Sequence, residues 1–590
     1  MKKVAIGAGL LASVVGCAMG ATVTVTTGSN VTDIDFFTGT IADLPGPDGK
    51  VSMAEAMIAT NNTPGHDRIE FAIPQNEWLM QWLYPGRAVL VQGNFRANDS
   101  VEIDATTQTA FTGDTYAGGN EVAIYGSTIY LNADNSSICG FDGIPLQVSG
   151  DNSHVFDNTG NTNITLFDSH GTLVENNIAG TIKIDRCNNC VVVGNVTTRV
   201  RVQGWVSEFG TGPASNNRIG GPTLAERNYI TGYGTHSGEG FPSGTTVEIF
   251  DNDGTIVENN WIGTLPDGVT SGSTASTQGV GFTGTNTNVT IRNNQIAGIL
   301  GIGIGPHYVG YLVGWGVYVT GTGSNITIEN NTIGLDANGD PLGSVFGIEV
   351  ADYFAGPVDG VTISGNEIAG HLISGVYVRT GVNGVDIMGN SIHDNADLGI
   401  DLYEGPSGIG VTANDALDVD TGANGLQNFP VLVDAYGTPA SVQIVGTLNS
   451  MADSSYRVEF FASSACDPSG HGEGERFLGS AVVLTNGSGD AVFDVTLPAS
   501  VAAGEAITAT ATDLLTASTS EFSACIAAEA GASCPGDTNG DNVCDLADLT
   551  NVLFGFGQSG APYANGDVNG DGVTDLADIS DVLFAFGSGC

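Results

Sequence analysis

The chain has 590 residues and a formal net charge of −48, from 16 Lys+Arg against 64 Asp+Glu. Such a surface repels phosphate backbones and anionic lipid, which excludes nucleic acid as a partner class. The length exceeds one compact core, so several domains or a long repeat array are expected. Gly numbers 86 and hydrophobic residues reach 41%; this favours strands and tight turns over helices, and order over disorder. The acidity suits solubility in a salty, divalent-rich medium, and part of it is placed to bind cations.

Residues 1–20 read as an export signal. Lys2 and Lys3 precede the apolar run from Val4 to Val15, which is too short to span a bilayer, and Ala18-Met19-Gly20 suits cleavage before Ala21. A second reading stands beside it: Val14-Val15-Gly16-Cys17 resembles a lipoprotein box that would leave Cys17 lipidated. Both readings place the protein outside the cell, secreted or surface-attached. No later segment has the length and apolarity of a transmembrane helix. With nine cysteines in an oxidising compartment, disulfides are expected.

Residues 21–65 form an N-terminal strand and capping segment. Ser52 and Glu55 make a capping box, Met53, Ala56, Met57 and Ile58 give an apolar helical face, and Asn61-Asn62-Thr63-Pro64-Gly65 stops the helix. From residue 66 to 427 an irregular repeat runs. Its clearest copies start at Val289, Ile326, Val361 and Val385, with weaker ones at Leu173 and Ile256. Each copy is an alternating strand, an Asn-Asn or Gly-Asn turn suited to left-handed backbone, and one apolar residue. These units, with Ile219-Gly220-Gly221-Pro222 and Leu398-Gly399-Ile400-Asp401-Leu402, resemble bacterial right-handed parallel β-helix proteins of the pectin-lyase-like kind. In such a coil the apolar residues fill the interior, the Asn residues ladder at corners, and the short helix covers the open end. The loops Leu265 to Gln278 and Asp336 to Ser344 project outward as places for specificity. The run from Asn414 to Pro430 resembles the segment where such coils end.

Residues 428–530 carry short alternating strands with glycine-rich turns, the pattern of a β-sandwich. They resemble the Ig-like module attached to these coils, and Cys466 and Cys525 are the cysteines of that span, its expected disulfide. Residues 534–590 hold a duplication. Asp537, Asn539, Asp541, the Val543 carbonyl, Asp545 and Asp548 stand at loop positions 1, 3, 5, 7, 9 and 12; Asp567, Asn569, Asp571, the Val573 carbonyl, Asp575 and Asp578 repeat them. That oxygen set meets the demand of calcium, the expected cofactor. Each loop feeds a near-copy, Asp545 to Phe554 and Asp575 to Phe584, whose apolar residues recur at helical spacing. The module resembles a type I dockerin, which implies a cohesin-like partner or a cell-surface component. Leu-Ala replaces the usual Ser/Thr pair at positions 10 and 11, so a calcium-stabilised end domain without such a partner is the alternative. Cys534 with Cys590, or Cys534 with Cys544, are the candidate clasps.

The resemblance implies a mainly β chain that acts on or binds polysaccharide, but neither the Arg-x-Pro-x-x-Arg pattern of pectate lyases nor the polygalacturonase set occurs. Arg199 and Arg201 point one way on a strand; with Glu208, His236, Glu239 and Trp205 they are the candidate catalytic cluster, against salt bridging as the plainer role. His307, Tyr308, Tyr311 and Trp315 offer rings that can stack on sugars or fill a core. Cys187 and Cys190 have metal-like spacing without a second pair, so a local disulfide or two buried thiols is expected; Cys139 is left without an assigned partner. Two functions remain: an exported protein that binds polysaccharide, and a polysaccharide lyase or glycoside hydrolase tethered by its tail.

Overall fold

The computed structural model describes residues 19–93, 95–160, 162–204, 212–232, 244–272, 276–302, 312–352, 358–403, 410–438, 440–530, 536–539, 544–560 and 566–587. The chain forms two compact units, Met1–Thr197 and Thr198–Cys590. It is mainly β, with large parallel sheets and four short α-helices among the described residues.

In the first unit, strands from successive rungs pair in parallel. His66–Phe71 pairs with Val101–Asp104, which pairs with Ser137–Cys139; His154–Phe156, Leu173–Glu175 and Val191–Val193 follow. Ile103, Ile138, Val155, Val174 and Val192 point inward and are fully buried. The helix Met53–Asn62 starts on a complete Ser52–Glu55 capping box, and eight of its residues are buried. It packs on the strands Met19–Val25 and Phe95–Ala97.

The second unit contains a parallel β-helix whose rungs can be followed through one buried Asn per turn. The residue before each of these asparagines takes the left-handed conformation: Asn259, Asn293, Asn330, Gly365 and Gly389 have φ of 55°, 54°, 54°, 62° and 58°. That conformation is open to Asn and Gly and strained for most other residues. It turns the next side chain inward, where Asn260, Asn294, Asn331, Asn366 and Asn390 form a ladder. Each Nδ2 donates to the next Oδ1 at 2.9–3.0 Å, and each Oδ1 also accepts the preceding rung's backbone N–H. Residues Asn158, Asn177 and Asn195 repeat this in the first unit. The lone apolar residue after each turn starts the next strand: Ile262, Ile296, Ile333, Ile368 and Ile392 are all at most 1% exposed. Each contributes roughly 2 kcal/mol by burial.

After the coil, Val442–Asn449 pairs antiparallel with Val431–Gly437 and Asp490–Leu497, and Glu529–Ala530 adds an edge. A second sheet joins Ser455–Ser463 to Arg476–Leu484 and Ala506–Asp513. The two sheets share one core, including Val442, Ile444, Tyr456, Val458, Phe460, Phe493 and Ile507. Cys466 and Cys525 are bridged, Cα–Cα 6.0 Å.

These sheets also cover the open end of the coil. A terminal rung leaves N–H groups without strand partners. Here Ile387 N donates to Thr519 Oγ1 at 2.9 Å, Gly389 N to Glu459 at 2.9 Å, Ile392 N to the Gly474 carbonyl at 2.8 Å and Asn395 N to Glu473 at 3.1 Å. Glu521 accepts from both Leu402 N (2.9 Å) and Thr412 N (2.8 Å). Burial pushes the Glu473 carboxyl up to about 7 and that of Glu521 up to about 8.

Candidate functional site

The C-terminal loops are built from backbone turns closed by aspartate. In the second loop Asp567 accepts from Gly570 N and Gly572 N, each at 2.8 Å, Asn569 from Asp571 N at 2.9 Å and Asp571 from Val573 N at 2.9 Å. Asp578, fully buried, takes Val568 N at 2.6 Å and Asn569 N at 3.1 Å with one oxygen and Asp575 N at 2.7 Å with the other. It thus caps the helix Leu576–Ala585 and shuts the loop. The first loop repeats the device through Asp548, which accepts from Thr538 N and Asp545 N, each at 2.7 Å, and lies in the first turn of the helix Leu546–Gly555. Asp537, Asn539 and Asp545 are described; Asp541 and Val543 lie outside the described residues. Val552, Val582 and Cys544 form the core between the two helices.

The donor set suits a hard divalent cation. Nine aspartates and no Lys, Arg, His or Glu lie between Cys534 and Cys590. Burial pushes the Asp567 carboxyl up, and Asp578 and Asp571 add to the rise. Asp548 is held below the usual range: burial opposes this, but the N–H groups of Asp545, Thr538 and Asn539 outweigh it. In the second loop Asp567 thus feels Asp578 and Asp571 with no basic side chain in the segment to offset them, a repulsion that a bound cation relieves.

The coil presents its chemistry outward. Arg199 and Arg201 both reach Glu248, Arg201 at 3.3 Å, so this pair is consumed in ion pairing. Glu208, His236, Glu239 and Trp205, named with them from sequence, lie outside the described residues, as do His307, Tyr308 and Tyr311. Trp315 is described, and it leads to a cluster that sequence reading missed. Five strands carry the phrase Gly–apolar–x–apolar at residues 279–282, 316–319, 347–350, 375–378 and 399–402. Their glycines stack, and a Cβ on Gly279, Gly316, Gly347 or Gly375 would lie 2.5, 2.6, 2.4 or 2.8 Å from the next glycine's carbonyl oxygen. The third position points away from the coil interior and is paired rung to rung, Gly281, Tyr318, Glu349, Tyr377, Asp401, yet Glu349, Tyr377 and Asp401 are covered by their neighbours, at 1%, 2% and 0% exposed.

Around this column the side chains interlock. The Trp315 indole N–H and Arg379 Nε (2.9 Å) both donate to Glu349, which is 1% exposed. The Arg379 guanidinium lies 4.5 Å from the Tyr377 ring and 5.2 Å from the Tyr403 ring, and Phe346 stacks on Tyr377 at 4.8 Å. Burial raises the Glu349 carboxyl, with Arg379 opposing. Burial, helped by Asp397, pushes Asp401 up to about 7; Ser374 Oγ lies 3.3 Å from its Oδ2, and its Oδ1 has no hydrogen-bond partner. The face therefore holds one carboxylate paired to a cation and one poised near neutrality.

Two further groups were flagged by sequence. Cys187 and Cys190 are buried thiols in the interior, unbridged, as is Cys139, and Cys544 is a buried thiol in the helical core; Cys17, Cys534 and Cys590 lie outside the described residues. In the segment after the coil, oxygens of Asp415, Asp418 and Asp420 lie within 4.8 Å of one another. Burial raises Asp418 to about 6, while Ser450 and the Asn428 N–H hold its charged form.

No protein-family model matches the chain, and no curated protein matches it in sequence. Among solved structures it is similar to an alginate lyase from Paenibacillus sp. str. FPU-7, with 12% identity over 64% of this chain and 95% of that one and a TM-score of 0.26. It is also similar to the catalytic domain of a GH87 alpha-1,3-glucanase in complex with nigerose, with 11% identity over 62% and 67% and a TM-score of 0.30. A third likeness is to tailspike protein 3 of bacteriophage CBA120, with 11% identity over 64% and 62% and a TM-score of 0.27. Likenesses at these scores carry no argument about this chain.

Proposed function

We propose that this is an exported β-helix protein that binds extracellular polysaccharide along its coil and is held in place by a calcium-dependent, dockerin-like end module, with an Ig-like sandwich between the two. The observation that carries the reading is the duplicated loop–helix unit, in which fully buried Asp548 and Asp578 close two acidic loops that lack any basic residue. Asp567, Asn569, Asp571, Asp575 and Asp578 would hold calcium through oxygen, with the Val573 carbonyl, and the first loop would do the same. Calcium supplies the positive charge these loops lack; the residues themselves set the turn and start each helix. A cohesin-like domain or a cell-surface component is the proposed attachment partner, and the segment before residue 21 is the proposed export signal.

Chelator should melt the helices Leu546–Gly555 and Leu576–Ala585 while the coil stays folded, read by hydrogen exchange on the whole chain, and added calcium should restore them. Unchanged protection of both helices in chelator would refute calcium dependence.

A second reading, cleavage of a glycosidic bond, is favoured by one observation: Glu349 and Asp401, both buried beneath the face, share one column two rungs apart, roughly 9–10 Å at the usual strand spacing. That separation suits an acid and a base acting across a water molecule. Reducing ends released from a polysaccharide panel by the wild type, and lost in Asp401→Asn and Glu349→Gln, would establish it. Release that persists in both variants would reject it.

A further inference from the structure

A second outward column runs one position after the Asn ladder. Tyr229, Trp261, Gln295, Thr332 and Glu367 are register partners on successive rungs. From Trp261 to Glu367 the column covers three rung steps, about 14 Å. It forms the floor of an open groove of about 460 Å³.

One wall is made by the turns that the longer rungs insert. Thr264 bridges Ser271, Leu335 bridges Pro341, and Ala337 N donates to the Gly268 carbonyl at 3.0 Å, so one turn stacks on the other. Asp336 and Asn338 face the groove from this wall. At one end Arg227 lies 4.8 Å over the Trp261 ring and Tyr229 meets that ring edge-on at 5.4 Å. Arg227 is itself fixed to Asn259 by hydrogen bonds of 3.1 and 2.7 Å, and burial lowers its pKa.

We propose that this groove is a binding site for a neutral, linear glycan, seated with a sugar ring against Trp261 and its hydroxyls on Gln295, Thr332, Asn338 and Glu367. This rests on the reading that the coil binds polysaccharide, and it names the place and the ligand class. The shape argues for a chain: the groove is open and follows the stacking direction, so it suits an extended polymer rather than a compact cofactor. The lining argues for hydroxyls. Amide, hydroxyl and carboxylate groups alternate along the floor and supply acceptors and donors side by side, and one indole supplies an apolar face.

The charge argues against a polyuronate. Arg227 is the groove's one cation against Asp336 and Glu367, on a chain of net charge −48. A polyanion approaching this groove meets repulsion at long range and no excess of positive charge at contact.

The test uses the whole chain in calcium and affinity electrophoresis in gels containing soluble β-glucan, xylan, galactomannan or polygalacturonate. Retardation by at least one neutral glycan is expected, with little by polygalacturonate. Trp261→Ala should weaken that binding about tenfold, and Thr332→Phe, which fills the floor without touching the indole, should weaken it at least as much. Hydrogen exchange at the Asn ladder reports whether each variant keeps its rungs. A neutral glycan that binds both folded variants as tightly as wild type overturns the groove and leaves the polysaccharide reading standing. Preference for polygalacturonate overturns the ligand class. Failure of every polymer to retard the wild type overturns both.

Discussion

The Asn ladder offers the sharpest test of what holds the coil together. Asn331 is 1% exposed. Its Oδ1 accepts from Asn294 N (2.9 Å) and Asn294 Nδ2 (3.0 Å); its Nδ2 donates to the Ile291 carbonyl and to Asn366 Oδ1, both at 2.9 Å. Asn331→Ala therefore strands two buried donors and one buried carbonyl, while Asn366 Oδ1 keeps the Asn331 backbone N–H. Each stranded group costs about 1–3 kcal/mol, so the three together should cost about 3–9 kcal/mol, toward the lower end if a water enters the space. The control is Asn325→Gly. It removes an amide–amide bond of 2.7 Å to Asn288 on the outside of the same coil. Asn325 has φ of 56°, which glycine adopts freely; the cost should stay within about 1 kcal/mol. Guanidinium titration followed by circular dichroism gives the global loss, and hydrogen exchange at Asn294 and Asn331 gives the local one. Equal losses in the two variants would show that burial of the ladder contributes nothing beyond an ordinary surface bond, and would refute the reasoning.

Three further outcomes follow from the same geometry. The Glu473 and Glu521 carboxyls are raised by burial in the fold, so their contribution to stability is full below their ordinary range and is lost as pH rises through about 7 and about 8; melting at pH 8.5 should fall below that at pH 5, and Glu521→Gln should reduce the difference by up to about 1.4 kcal/mol per pH unit. An identical pH slope in the variant would reject Glu521 as a source. Arg379→Met leaves Glu349 buried without its cation and should cost about 3–5 kcal/mol at pH 7, with recovery in acid as Glu349 protonates; a melting point unchanged at both pH values would contradict the pairing. Removing the bridge that closes 59 residues, by Cys466→Ser with Cys525→Ser, should lower stability by about 4 kcal/mol, read as a fall in melting temperature of the two-sheet domain; a loss under 1 kcal/mol would oppose it.

The coil was legible because its signal is local. An alternating strand, a left-handed turn and one apolar residue fit within eight residues, as at Val289 to Ile296, and the structure puts Ile291 and Ile296 inside and the Asn294 amide on the ladder. The acidic loops were legible for the same reason. The outward columns were not, because each residue of a column belongs to a different rung. Ladder neighbours are 18 or 19 residues apart in the first unit and 34, 37, 35 and 24 apart in the second, so no fixed period marks which side chains meet. That Trp261 and Glu367, or Glu349 and Asp401, belong to one column emerges only once strand register is known. A signal for the second pair was nonetheless present: the five Gly–apolar–x–apolar phrases, whose glycines are demanded by backbone stacking and whose third residues spell out the column.

The distribution of cations makes the last link between fold and function. Arg68 is shared by Glu70, Glu102 and Asp104; Glu258 is held by Arg218 and Arg292; Arg457 bridges Asp386 and Glu459. Arg68 ties its own strand to the carboxylates of the next rung, Arg218 and Arg292 hold Glu258 from the rungs on either side, and Arg457 ties Asp386 of the coil to the sheet that covers its end. These cations are therefore committed to keeping an acidic coil stacked. A polyanionic ligand would have to compete for them at the expense of the rungs, whereas a neutral glycan needs only the amides, hydroxyls and rings that stacking leaves facing outward.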